Sequence, residues 1–247
     1  MGLGIGWFLK NPSEIKIGLI GLFLMVSYVL HIWGVAFSLS QVQLQILIGF
    51  PMAFALILLF GTAVQILIHA ILRFQTIPHR SIDRVLALVL FTAFLGAVLG
   101  IFVPESGVDA LWFHLPIAQD ILQTPNLIWN PSLYQTTLPR LGSYLFALPM
   151  YVLGFTGAKL VSIAIGVLCI AKVGKITSTL VSRSASYTRD ARSDSASLFA
   201  MLTFFSIHTV YWQLTSAYAD IFRTLFELAV VTLLIQKPRR VVLLGIL

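Results

Sequence analysis

The stretch that decides the fold is residues 105–140, ESGVDALWFHLPIAQDILQTPNLIWNPSLYQTTLPR. It is polar and aromatic, whereas the sequence on both sides of it is apolar enough for a lipid environment. A segment of this length exceeds an ordinary connection between helices, and its many Leu, Ile and aromatic residues argue against disorder. We therefore expect an ordered loop at a membrane surface, and we expect this loop to carry the chemistry of the protein.

The composition of the whole chain is that of a membrane protein. Of its 247 residues, 58% are hydrophobic and 10% are charged, whereas a soluble domain has roughly 25% charged residues. A water-soluble fold is therefore excluded. The sequence contains no CxxC, HExxH, Walker, GxGxxG or GxSxG motif, so thiolate-metal, zinc-protease, nucleotide-binding and elbow-serine chemistries have no support.

Apolar runs of about 20 residues predict membrane-spanning helices. Six such runs occur, at 17–38, 43–72, 85–103, 160–181, 198–214 and 219–236. The run 141–157 contains Pro149 and is too short to cross a bilayer. The predicted fold is therefore an all-α, polytopic integral membrane helix bundle. A long first outer loop, 104–157, would hold two interfacial helices at 109–123 and 141–154, and a second outer loop would cover 213–220.

The distribution of charge fixes the predicted orientation, because basic residues collect on the cytoplasmic side of a membrane. With 141–157 at the surface, thirteen of the 16 Lys and Arg residues fall on one side, and Arg140, Lys159 and Arg223 fall on the other. We therefore expect a plasma (inner) membrane protein with a cytoplasmic N-terminus and both acidic loops outside. Because the basic excess is explained by topology, nucleic acid is excluded as a partner.

Asp109 begins the segment DALWFHLPIAQDIL of the first outer loop. Apolar residues recur there at helical spacing and predict an amphipathic helix along the membrane interface: Leu111, Leu115, Ala118 and Leu122. A carboxylate in the first turn is favoured by the helix dipole. The residues leave open whether Asp109 is only a helix cap or a catalytic group.

Other polar residues of the loop also have two interpretations. His114 suits an interfacial histidine with one hydrogen bond, or a site residue. Arg140 is able to reach either a lipid phosphate or a substrate phosphate. The aromatic residues are typical of the belt at a lipid boundary: Trp112, Trp129 and Tyr134.

The second outer loop ends in Asp220, which begins the last predicted span. Arg223 and Glu227 follow on the same helical face. An acid within a span is rare and is usually paired or functional. The spacing therefore predicts either a local ion-pair cluster or an acidic site that continues from Asp220.

The first outer loop resembles that of the glycosyltransferase-C superfamily, which includes the protein mannosyltransferases and the aminoarabinose transferase. The resemblance is carried by residues 109–154, DALWFHLPIAQDILQTPNLIWNPSLYQTTLPRLGSYLFALPMYVLG. In that family an Asp is followed by Tyr-His-x-Pro and then by a Pro-rich stretch. The matching residues, with Phe113 where Tyr is usual, are Asp109, Phe113, His114, Pro116, Pro139 and Gly142.

The second outer loop, YWQLTSAYADIFRTLFELAVV at 211–231, resembles the family loop in which Ala-Tyr-x-Asp opens a membrane helix. Tyr218 and Asp220 match that pattern. The resemblance covers about 85–236, so residues 1–76 are expected to be an additional N-terminal helix pair. Residues 77–247 are expected to be a partial glycosyltransferase-C-like module.

The resemblance implies transfer of a sugar from a polyprenyl-phosphate donor to an acceptor hydroxyl. Asp109 would be the catalytic carboxylate, and Asp220 a supporting acid. Both acids are the candidate ligands if a divalent metal ion takes part. His114 and Tyr218 would contact substrate, and Arg140 and Lys159 are candidate contacts of the donor phosphate.

Family members contain more helices than this sequence does. The final VVLLGIL is too short to span a bilayer, which predicts that the sequence ends at the start of another helix. A second chain that supplies the missing helices is therefore a candidate partner, besides the lipid bilayer. The main alternative is a non-catalytic membrane subunit or a truncated remnant of such an enzyme. A transporter is disfavoured by the lack of an internal repeat.

Overall fold

The computed structural model describes residues 12–76, 81–123, 141–184 and 189–236. Within these ranges the chain is helical and contains no strand, which confirms the predicted all-α class. The helices are α1 Pro12–Ala36, α2 Gln41–Thr76, α3 Ser81–Gly100, α4 Leu115–Gln123, α5 Leu141–Leu153, α6 Phe155–Ser184, α7 Arg189–Ser206, α8 His208–Thr215 and α9 Asp220–Gln236. A π-helical turn, Ala110–His114, leads directly into α4.

Four of these helices are long and apolar enough to cross a membrane. They contain the segments Ile15–Ala36, Gln41–Leu72, Ile82–Gly100 and Phe155–Arg183. The first three segments are at most 28% buried within the protein, whereas the fourth is 67% buried. Large exposed apolar surfaces on α1, α2 and α3 are unfavourable in water and suit contact with lipid.

Helix α6 is the centre of the bundle and contacts α2, α5, α7, α8 and α9. Small residues allow these close contacts, as is common between membrane helices. A Cβ atom added at Gly166 would overlap the side chain of Leu214, and one added at Gly174 would overlap that of Met201. The sequence thus allows neighbouring helices to approach α6 closely on more than one side.

The loops meet at two opposite ends of the bundle. One end is joined by hydrogen bonds of Lys16 to Gln65, Ser195 to Asp83, and Arg183 to the carbonyl of Ile235. The other end, which we call the site end, comprises residues 37–40, 101–123, 141–159 and 216–220. Hydrogen bonds connect its segments: Gln41 to Gln123, Gln45 to Leu122, and Ala217 to Glu105. The predicted first and second outer loops therefore lie together.

Helix α5 begins and ends at the site end. Gly142 lies against Ala219 in the second loop. Gly154 has a positive φ of 62° and turns the chain into α6, where Lys159 donates a hydrogen bond to the carbonyl of Val103. A 13-residue helix is about 20 Å long. Helix α5 is therefore too short to run the length of the bundle, and its place in the membrane interface stays a prediction.

The predicted span 198–214 is wrong as a single helix. Helix α7 ends at Ser206, α8 begins at His208, and Ile207 between them is extended, with φ −61° and ψ 118°. The Ser206 hydroxyl donates to the carbonyl of Thr203, a local bond that competes with the helical pattern. No Pro or Gly marks this break, so the apolar run gave no signal of it.

The α1–α2 pair, which is the described part of the predicted N-terminal unit 1–76, is attached to the rest of the bundle. His31 Nδ1 and the Tyr144 hydroxyl of α5 form a buried hydrogen bond of 2.6 Å. The Tyr28 ring meets the Tyr144 ring edge-on, with centroids 5.9 Å apart. These contacts fix α5, and with it one side of the site end, against α1.

Candidate active site at the site end

A buried carboxylate joins the two outer loops. Glu105 Oε1 accepts hydrogen bonds from the backbone N–H groups of Ser106, at 3.0 Å, and Gly107, at 2.8 Å. Its Oε2 accepts one from the N–H of Ala217 at 3.0 Å and lies 3.9 Å from Lys159 Nζ. The Glu105 side chain is only 1% exposed. The sequence identified Glu105 only as an acid on the outer side, and nothing in it indicated a partner 112 residues away.

Asp109 stands at the start of the π-helical turn, with its side chain exposed. Its backbone is helical, with φ −67° and ψ −34°, and the carboxylate makes no capping hydrogen bond. A capping residue ordinarily has extended backbone angles and accepts a bond from the first turn. The interpretation of Asp109 as a helix cap is therefore not realised. Its backbone N–H donates to the Tyr218 hydroxyl at 3.3 Å, which places it against the second loop.

His114 lies between the two loops and near both candidate acids. Its ring meets the Tyr218 ring with centroids 5.8 Å apart and the Phe113 ring with centroids 4.6 Å apart. Burial lowers the pKa of His114 from 6.5, and the negative charges of Asp220 and Asp109 oppose this shift. Both carboxylates are thus close enough to act on one imidazole.

Tyr218 is surrounded by the same acids. Burial raises the pKa of its phenol above 10, the hydrogen bond from the Asp109 backbone opposes the shift, and the charges of Asp109, Glu105 and Asp220 raise the pKa further. The Trp212 ring lies on the other side, with centroids 4.6 Å apart. Four predicted site residues therefore come together, although Asp109 and Tyr218 are 109 residues apart in the chain.

Asp220 is exposed and is the first residue of α9. Arg223 Nε donates to Glu227 Oε1 at 2.7 Å, and the two side chains are 80% and 57% exposed. The predicted local ion pair on this helical face is therefore confirmed for Arg223 and Glu227. This ion pair does not include Asp220, which lies at the end of the second loop, where its charge acts on His114 and Tyr218.

The two predicted phosphate contacts are placed differently. Lys159 is 2% exposed, and its ammonium donates to the carbonyl of Val103 at 2.6 Å while it faces Glu105. A substrate phosphate would reach Lys159 only if this buried network opened, so its predicted role stays a prediction. Arg140, together with Trp129 and Tyr134 of the predicted aromatic belt, lies outside the described residues. Trp112 is 73% exposed, as expected for a residue at a lipid boundary.

The side chains that could bind a metal ion give limited support to a metal site. Within the described ranges, no group of three or more His, Cys, Asp and Glu side chains is arranged to hold one. Mg²⁺ is commonly bound by one or two carboxylates together with water and substrate phosphate. Asp109 and Asp220 would meet only that minimal requirement, and the predicted metal role of these acids remains a prediction.

A cavity of about 140 Å³ lies between α4 and α5, which fall within the two predicted interfacial helices of the first loop. It is lined by Ala118, Gln119, Leu122, Gln123, Ala147, Met150 and Tyr151. None of the acids, His114 or Tyr218 is among these residues. This cavity is therefore a neighbour of the candidate site and does not join Asp109 to Asp220.

Comparisons with known proteins give no relative for this chain. No protein-family model matches it, and neither a curated protein nor a solved structure is significantly similar to it.

Proposed function

We propose that this protein is a membrane glycosyltransferase that moves a sugar from a polyprenyl-phosphate donor to an acceptor hydroxyl, with Asp109 as the catalytic carboxylate. The observation that supports the proposal is the environment of the Asp109 carboxylate. Its carboxylate is exposed, serves no cap, and lies beside His114 and Tyr218, where the charge of Asp220 also acts. Helix packing alone gives no reason for the charges of two acids from separate loops to act on the same histidine and tyrosine.

In the proposed reaction the acceptor oxygen attacks C1 of the sugar. Its proton passes to the Asp109 carboxylate as the new bond forms, which is general-base catalysis. The bond between C1 and the phosphate oxygen breaks with its electron pair on that oxygen, and polyprenyl phosphate leaves as an anion. His114 and Tyr218 would contact the sugar or the acceptor, since both rings adjoin Asp109. Arg140 remains the predicted contact of the leaving phosphate.

The arrangement of the loops and charges supports the proposed membrane placement. The two outer loops share the site end, which holds Glu105, Asp109 and Asp220, while α7 and the Arg183 end of α6 lie at the opposite end. We place the site end outside the inner membrane, because basic residues favour the cytoplasmic side. Helices α4 and α5 would then lie in the outer interface, beside the lipid-linked donor.

Transfer assays with matched variants test the proposal. The full chain, in lipid nanodiscs, is given a panel of polyprenyl-phosphate-linked hexoses and pentoses, and release of polyprenyl phosphate is measured by mass spectrometry. Loss of a general base lowers transfer about 100-fold or more, so Asp109→Asn should do so, whereas Asp120→Asn in the same loop should stay within about twofold of the wild type. Neither variant is expected to change the fold.

Equal activity of the two variants would remove Asp109 from the mechanism. Polyprenyl phosphate binding without transfer of any sugar in the panel would favour the alternative, a non-catalytic membrane subunit. Binding is measured separately, by quenching of tryptophan fluorescence with polyprenyl phosphate alone, so that the two results are independent.

A further inference from the structure

The strongest unexplained feature of the site end is a charged pair that does not face the candidate substrate. Glu105 and Lys159 have side chains that are only 1% and 3% exposed, respectively. Burying two charges is costly unless each finds good partners. Ion pairs on the surface of this protein, such as Arg223 with Glu227, carry no such cost. The buried pair therefore needs a structural or functional reason.

The partners of Glu105 come from three separate segments. Ser106 and Gly107 belong to the first outer loop, Ala217 to the second, and Lys159 to the first turns of α6. The ammonium of Lys159 is in turn bound to the carbonyl of Val103, at the end of α3. Hydrogen bonds to a charged acceptor are stronger than neutral ones, so this single carboxylate holds the three segments at fixed separations.

The segments that Glu105 joins are those that carry the candidate site. Gly107 is two residues before Asp109, and Ala217 directly precedes Tyr218. Space around Gly107 is so limited that an added Cβ would lie 2.7 Å from the Tyr218 ring and 3.0 Å from Glu105 Oε1. A side chain at position 107 would therefore push the first loop away from Tyr218 and from the Glu105 carboxylate.

We infer that Glu105 and Lys159 form a positioning clamp, which sets the distance between the two loops and thereby holds Asp109 beside Tyr218. Glu105 supplies the bonds between the loops. Lys159 places its ammonium 3.9 Å from the buried carboxylate and offsets its charge. Neither residue touches the proposed substrate. In this role Lys159 positions the loops and does not bind the donor phosphate.

Glu105→Gln is the decisive variant. An amide oxygen can accept bonds on only one side, either from Ser106 and Gly107 or from Ala217, so the link between the loops is weakened. The pKa of His114 shows whether the loops have separated, because His114 lies between them. This pKa is read from the NMR signal of the folded molecules. A variant that merely unfolds more easily keeps the same His114 titration in its folded fraction. A variant that separates the loops admits water to the imidazole and changes it.

The experiment is a ¹³Cε1-histidine NMR titration of the full chain in detergent, with His114→Asn used to assign the signal. Because burial is the larger influence on His114, the clamp predicts that its pKa rises towards 6.5 in Glu105→Gln. Glu227→Gln removes the same charge from an exposed ion pair and should leave the titration unchanged. A His114 pKa in Glu105→Gln that stays at the wild-type value, or falls, would overturn the inference.

Lys159→Met is measured if Glu105→Gln does not fold, with the same expected rise and the same contradicting result. A second readout rests on the proposed function. Misplacement of a catalytic group by about 1 Å costs on the order of 100-fold in rate, so Glu105→Gln should lower kcat for transfer by about tenfold to a hundredfold and leave the donor KM within about twofold. Absence of transfer in the wild type would refute the proposed function, whereas the titration would still decide the clamp.

Discussion

Substitution of Gly157 by alanine tests the fold at the point where α5 turns back into α6. A Cβ atom at this position would lie 2.1 Å from the carbonyl oxygen of Pro149 and 2.6 Å from its carbon. Ordinary contacts begin near 3.4 Å, so the α5 backbone would have to move by about 1 Å, and no side-chain rotation can relieve the overlap. Overpacking of this kind costs about 1–3 kcal/mol or more.

The matched control is Gly61→Ala in α2, where nothing lies within 4 Å of an added Cβ. Alanine in an open helical position is more stable than glycine by about 1 kcal/mol. Reversible unfolding in SDS should therefore separate the two variants by about 2–4 kcal/mol, with Gly157→Ala the less stable. If Gly157→Ala is as stable as Gly61→Ala, then α5 does not fold back against α6, and the site end has a different shape.

Three further outcomes are expected. Tyr144→Phe should lower the free energy of unfolding by about 1–3 kcal/mol, because it removes the buried hydrogen bond between His31 and Tyr144. The exposed Tyr151→Phe should change the free energy of unfolding by less than about 0.5 kcal/mol; equal effects of the two variants would show that the folded state lacks this bond. The free energy of unfolding should fall as the pH is lowered from 6.5 towards the lower pKa of His114 in the folded state, since over this interval the unfolded chain binds the proton more readily. Thermal unfolding at several pH values measures this dependence, and an identical pH slope in His114→Asn would contradict it. In a Cys169→Ser background, a cysteine at position 109 or 220 should react with a membrane-impermeant reagent in intact cells, and one at position 183 should not; the reverse pattern would invert the proposed topology.

The sequence by itself determined the class of the protein and the order of its helices. Apolar runs of sufficient length predicted α1, α2, α3 and α6 because burial in lipid depends on composition and length, which are local properties. The short run with Pro149, Gly154 and Gly157 predicted a helix that does not cross, and the structure places both ends of α5 at the site end. The alternation of basic and acidic loops predicted that both acidic loops face the same side of a membrane, which stays a prediction.

The sequence pattern did not indicate the structure where a local hydrogen bond or a distant partner residue determines it. The break at Ile207 has no Pro or Gly to mark it. Asp109 had the sequence signature of a cap, yet its backbone is helical and its carboxylate makes no capping bond. Lys159 was predicted to contact a phosphate, and nothing in the sequence indicated that its ammonium would lie 3.9 Å from the buried Glu105 carboxylate.

Only the tertiary structure showed that Glu105 joins the two loops and that His114 and Tyr218 stand between the acids. These contacts connect residues more than a hundred positions apart, such as Glu105 with Ala217 and Asp109 with Tyr218. Such pairs follow from how α6 packs against α7, α8 and α9 and how α3 packs against α7 and α8, which no local periodicity encodes. Helix formation depends on neighbours in the chain, whereas the site depends on the positions of whole helices relative to one another.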